Sequence, residues 1–154
     1  MKSILLSLML CLTACTPSKS SSRLHSVDMD IDGPRVYDYR IDYGKTILPF
    51  GNGPDPDFGG GSTYMAKMPL PEVAVATWRT APAPDGVVVR FVVPIRDQVT
   101  DEEWQGELFT LEFLSAPTAL KVNVLTGITG DKVHPRIRRQ IYSSTATPAG
   151  ALGP

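Results

Sequence analysis

The chain has 154 residues, of which 42% are hydrophobic and 20% charged, and its formal net charge is −1. After the two ends are set aside, about 120 residues remain, enough for one compact domain. The charge lacks the basic excess that nucleic-acid binding demands.

The first residues divide into three parts. Met1-Lys2-Ser3 carries a positive charge, Ile4 to Leu12 is an almost unbroken apolar run, and Thr13-Ala14 puts small residues before Cys15. This is the layout of a secretory signal. The run is too short to span a bilayer, which takes roughly 20 residues. Leu12-Thr13-Ala14-Cys15 resembles the bacterial lipobox. The resemblance implies that residues 1–14 are removed, that the Cys15 thiol takes a diacylglyceryl group, and that the new amine is acylated. Two or three acyl chains hold a protein stably, since each buried CH₂ contributes roughly 0.8 kcal/mol. Thr16 follows where Asp would signal inner-membrane retention, which by similarity to enterobacterial sorting implies the outer membrane, facing the periplasm. The two cysteines are Cys11 and Cys15. One leaves with the signal and the other is acylated, so no thiol remains for a disulfide, a nucleophile or zinc.

Residues 15–33 read as a flexible tether carrying the lipid. Within them Asp28-Met29-Asp30-Ile31-Asp32-Gly33 matches the opening of a calcium loop. The twelfth position is Tyr39, where a bidentate Glu is required, so solvent-facing acids on a strand are the expected reading. Residues 34–142 are expected to form the domain. Tyr37, Tyr39, Ile41 and Tyr43 alternate with polar residues, the period of a half-buried strand. Thr46 to Phe50 is a second candidate. Gly51 to Ser62, rich in Gly, Pro and Asp, is a long loop. It lacks the Gly-Lys-Ser/Thr ending of a phosphate loop. Tyr64 to Met68 resumes a strand. Val73 to Arg79 and Val87 to Val93 form a hairpin around Ala81-Pro82-Ala83-Pro84-Asp85-Gly86. Apolar residues on both faces of the second arm predict a central strand covered on both sides.

Thr100-Asp101-Glu102-Glu103 is a capping box with acids at the positive end of the helix dipole. Gly106 ends that helix after little more than a turn. Glu107 to Leu114, Ala119 to Leu125 and Val133 to Tyr142 are further strands, the last weakened by Pro135. Residues 143–154, small, polar and rich in Pro and Gly, are expected to be a disordered tail. The sum is a mostly β domain with one short helix, expected as two antiparallel sheets packed as a sandwich, with a partly open barrel as the alternative.

Chemistry-bearing residues are few. His25 near the tether and His134 before Pro135 are two isolated imidazoles, and Ser62 lacks a Gly-x-Ser-x-Gly elbow. No enzyme, metal or cofactor is expected. Trp78 is expected in the core, whereas Trp104 on the acidic helix suits core and interface equally. Arg136, Arg138 and Arg139 would suit a solvated strand face, an acidic partner or lipid head groups.

Tyr39-Arg40-Ile41-Asp42-Tyr43, Gly59-Gly60-Gly61-Ser62, Pro69-Leu70-Pro71-Glu72-Val73 and Ala76-Thr77-Trp78-Arg79 together resemble a family of small proteobacterial lipoproteins. Several of its members are similar to immunity proteins encoded beside type VI secretion effectors, periplasmic lipases in particular. Many relatives carry a Cys pair before the Leu-Pro step, where this chain has Lys67-Met68, so their disulfide is not implied here. The resemblance implies a non-catalytic protein that occludes a toxic enzyme. Contact would fall on the loop, at Asp55, Asp57 and Phe58, and on the helix, at Asp101, Glu102, Glu103 and Trp104. The competing expectation is a structural or accessory lipoprotein of an envelope complex such as a type VI secretion system.

Overall fold

Side chains that alternate along a strand point to opposite faces of a sheet. Here that alternation buries one face of each of two sheets. The computed structural model describes residues 18–48, 57–58 and 60–146, with 57–58 described by backbone alone. In chain order the elements are β1 (Arg23–Ile31), β2 (Val36–Tyr43), β3 (Thr46–Leu48), β4 (Asp57–Phe58), β5 (Ser62–Met68) and β6 (Val73–Arg79). They continue with β7 (Val88–Pro94), α1 (Asp101–Gln105), β8 (Thr110–Ala116), β9 (Ala119–Thr126) and β10 (Ile137–Thr145). One sheet runs β10-β9-β8-β1-β5; the other runs β3-β2-β6-β7, with β4 added to β2. The protein is therefore mostly β, with two sheets and one short helix, as its alternation predicts.

Five particulars differ from the sequence reading. Residues 23–31, assigned to the flexible tether, form β1, an interior strand between β5 and β8. Val27 and Met29 are buried on its inner face, which gives the segment the apolar area a tether lacks. Its pairing with β8 is parallel, so this sheet is mixed. Strand β7 ends its sheet, and Val88 and Val92 lie open on its outer face. Their β-branched stiffness suits a strand without requiring cover on both sides. Strand β8 starts only at Thr110, because Leu108 adopts φ +54°, outside the extended region. Strand β10 starts at Ile137, beyond Pro135, and runs to Thr145, taking three residues that had been assigned to the tail.

In β2 the register shifts between Tyr37 and Arg40, with Asp38 at φ +52°. The extra residue turns both Val36 and Tyr39 inward, as a β-bulge does.

The registers define two ends. Strands β1, β6, β8 and β10 start where β2, β5, β7 and β9 finish, and α1 caps that helix end. The opposite, turn end holds residues 32–35, 80–87 and 117–118. Between them lies one core, with Trp78 fully buried near the turn end. Its ring stacks on Tyr39 at 5.5 Å and meets Phe91 at 5.3 Å. Its Nε1 donates to the Pro117 carbonyl at 2.9 Å. The Tyr39 hydroxyl and Ser115 Oγ share a hydrogen bond of 2.8 Å across the two sheets.

Replacing Trp78 by Ala should cost about 3–5 kcal/mol of folding free energy, the range for a buried large aromatic. Urea unfolding followed by circular dichroism measures it. A loss below about 1 kcal/mol would mean that the sheets close without this ring.

Candidate functional site

The helix end carries most of the local geometry the sequence hinted at. Thr100 Oγ1 accepts from the Glu103 backbone N–H at 3.2 Å, and Glu103 Oε2 accepts from the Thr100 N–H at 2.8 Å. This is the predicted capping box, and α1 ends at Gly106. Trp104 projects from α1 into the mouth between the sheets and is fully buried. It packs edge-on against His25 and Phe109, each at 5.2 Å, and the Arg23 guanidinium lies 5.2 Å from its ring centre.

The chain start is fastened to the same helix. Ser18 accepts at its carbonyl from Trp104 Nε1 at 3.4 Å. Lys19 pairs with Asp101 at 3.0 Å and its carbonyl accepts from the Leu70 N–H at 3.1 Å. Arg23 donates to the Gly106 carbonyl at 2.8 Å. On the other flank Arg139 grips Glu103 with both ends of its guanidinium, at 2.7 and 2.6 Å, and donates to the Gln98 carbonyl at 2.7 Å. Burial alone would raise the Glu103 carboxyl, but the bonds from Arg139 and Thr100 outweigh it and hold it below its ordinary value.

His25 is the buried imidazole of this end. Its Nδ1 lies 3.1 Å from the Arg23 carbonyl and its Nε2 lies 3.0 Å from the Tyr43 hydroxyl. A carbonyl can only accept, so Nδ1 carries the proton and Nε2 accepts from Tyr43. Both ring nitrogens are thereby satisfied in the neutral form. Burial lowers the imidazole below its ordinary value; the bond to the Arg23 carbonyl opposes this and the Arg23 charge adds to it. Burial also pushes the Tyr43 phenol up.

The predicted contact residues do not converge. Asp55 lies outside the described residues. The backbones of Asp57 and Phe58 pair with Tyr37 and Val36 at the turn end. Gly60, at φ +97°, packs so closely on β1 that a Cβ there would meet Asp30 Oδ1 and the Ile31 amide. Asp101, Glu102, Glu103 and Trp104 sit at the helix end, a strand length of about 25 Å away. Of these four, Trp104 is withdrawn as a contact, because its ring fills the core mouth and has no surface to offer. The Glu103 carboxylate is engaged by its cap and by Arg139, and Glu103 keeps part of its surface on the cleft beside α1. Asp101 and Glu102 remain exposed.

The basic cluster also finds its partners within the fold. Arg136 lies 3.8 Å from Asp28, Arg138 lies 2.7 Å from Glu112, and Arg139 holds Glu103. The calcium-loop match resolves as strand, with Asp28 facing Arg136. Among the described residues, no group of three or more His, Cys, Asp or Glu is placed to hold a metal ion. Nor is any helix among them long and apolar enough to cross a membrane.

Sequence reasoning missed two shallow clefts beside α1. One, of about 440 Å³, is lined by Glu102, Glu107, Leu108, Ile128, Pro135 and Ile137. The other, of about 460 Å³, lies against Leu24, Met65, Glu107 and Leu108. Leu108 and Glu107 form the ridge between them. Gly127, at φ +77°, lets the β9–β10 connection turn back so tightly that a Cβ there would strike the Pro135 carbonyl. Leu108, Ile128 and Pro135 belong to turns and carry no period, whereas Leu24, Met65 and Ile137 are outward-facing strand residues.

No protein-family model matches the chain, and no curated protein or solved structure matches it.

Glu103→Ala should remove half the capping box and the anchor of β10, at a cost of about 1–2 kcal/mol. Chemical denaturation measures it, and an unchanged midpoint would mean that α1 is held by Trp104 alone. The His25 site predicts acid sensitivity of a defined sign. Its folded value lies below the unfolded value of 6.5, so its contribution is complete above that pH and is lost as the pH falls. The thermal midpoint should fall as the pH drops below about 6.5, with a flatter profile in His25→Gln. Identical slopes in the two proteins would show that His25 does not carry the linkage.

Proposed function

We propose that the protein is a lipid-anchored, non-catalytic immunity protein of the bacterial envelope. It sits on the periplasmic face of the outer membrane and occludes a secreted antibacterial enzyme, with lipases the class to which the family resemblance points. The observation that carries the reading is Leu12-Thr13-Ala14-Cys15 behind an export signal. The fold supports it in two ways. His25, the buried imidazole a catalytic reading would need, is committed to Tyr43 and a backbone carbonyl. The segment holding Asp57 and Phe58 is stitched to β2 at the turn end, away from the point where the chain enters the domain. A two-sheet domain with its β4 segment pinned to β2 suits occlusion, since a pre-organised surface gives up little entropy on binding.

The test has two arms. Cys15→Ser should move the protein from the membrane pellet to the soluble periplasmic fraction, and retention in the pellet would remove the anchor from the reading. The immunity reading expects an effector gene beside this one, and periplasmic expression of that enzyme should kill cells that lack the chain and spare cells that carry it. Equal survival would leave the anchor standing and sink the inhibitory role.

A further inference from the structure

The way the chain enters the domain fixes how the domain meets the membrane. Only Thr16 and Pro17 separate Cys15 from Ser18. Three peptide units span at most about 11 Å. Ser18 and Lys19 are not free to lengthen that leash, because Trp104, Asp101 and Leu70 hold them against the helix end. The sandwich itself is about 25 Å long along its strands. A leash less than half that length cannot bring the turn end to the surface while the helix end stays clear of it.

The helix end also has the surface for such a contact. Leu24, Leu108, Ile128, Val133 and Ile137 are large apolar side chains exposed there. Leu24, Leu108, Ile128 and Ile137 line the two clefts, alongside Glu102, Glu103 and Glu107. Val133 is 78% exposed on the β9–β10 connection, between Lys132 and His134, with Arg136 following. Arg136 is already paired with Asp28 and Asp131 bonds the Val133 amide, so what suits the boundary between acyl chains and head groups is the exposed apolar side chain itself. With Glu102 and Glu107 among the cleft linings, the contact is made by the apolar side chains and its orientation is set by the short leash.

We infer that the helix end is a membrane-docking face: the bilayer that takes the acyl chains of Cys15 also receives Leu108, Val133 and their apolar neighbours. The turn end is then held outward, toward the periplasm. This rests on the lipid anchor of the proposed function and adds an orientation to it.

The acylated mature protein has no free thiol under that reading, so a single introduced cysteine can be labelled uniquely. Nitroxide labels at Leu24→Cys, Val133→Cys and Asp85→Cys, in full acylated protein on phosphatidylethanolamine–phosphatidylglycerol vesicles, report exposure to a water-soluble nickel relaxant. The labels at 24 and 133 should be shielded several-fold relative to the label at 85 on the turn end. A long Gly-Ser insert between Pro17 and Ser18 should reduce that shielding. Equal exposure of all three labels in vesicle-bound protein would overturn the docking face, leaving the helix-end clefts open to a protein partner, while the anchor stood. Failure of the acylated protein to associate with vesicles at all would instead overturn the anchor, and the docking face with it.

Discussion

A helix of five residues cannot recover its own nucleation cost in water, and α1 exists because Trp104 fills the mouth between the two sheets. A buried tryptophan removes 150–250 Å² from water, worth roughly 4–6 kcal/mol as an upper estimate. The Arg139–Glu103 pair on the partly exposed flank adds about 1 kcal/mol at most. The apolar plug therefore decides that the helix forms, and the charges decide how it sits. His25, Phe109 and Arg23 surround the ring, and its Nε1 reaches the Ser18 carbonyl. One side chain thus joins the chain entry, the first strand, the helix and the start of β8.

That dependence explains which parts of the fold the sequence disclosed. The alternation of β2, the hairpin of β6 and β7, and the capping box of α1 are local patterns, and each is present where the spacing places it. Strand β1 was hidden because its acids at 28 and 30, with Asp32 just beyond it, read as solvation, although alternation puts His25, Val27 and Met29 on the other face. Its parallel pairing with β8 joins segments more than eighty residues apart, and no local signal encodes that partnership. The start of β8 was misplaced by Leu108, whose positive φ has no sequence mark in a leucine. The edge position of β7 was likewise hidden, because exposed valines have the same composition as buried ones.

The site was less legible than the fold. Two contact segments were nominated, and the structure sets them at opposite ends of the sandwich. Trp104 was ambiguous from sequence, since an amphipathic ring on a polar helix fits an interface and a core alike. Its geometry resolves the ambiguity in favour of the core. The arginines at 136, 138 and 139 suggested an external acidic partner, but Asp28, Glu112 and Glu103 supply the charge from within. The clefts beside α1 went unnoticed because their linings combine turns with outward-facing residues of several strands and α1, a grouping that only the folded chain brings together.

The identity of the strand that receives the tether has a mechanical consequence. With no disulfide available to the mature chain under the proposed processing, the fold rests on its core and its ladders alone. Tension applied through Cys15 reaches the domain at Ser18 and passes into β1. That strand is bonded along one edge to β5 and along the other to β8, so a pull along its axis loads both ladders together instead of peeling one bond at a time. An edge strand such as β10 in the same position would have only one ladder to resist with. Before β1 is loaded at all, the contacts of Ser18 and Lys19 with α1, Asp101 and Leu70 take the first strain. The residues read as a slack tether are, in the folded protein, the part of the chain best placed to carry an anchor.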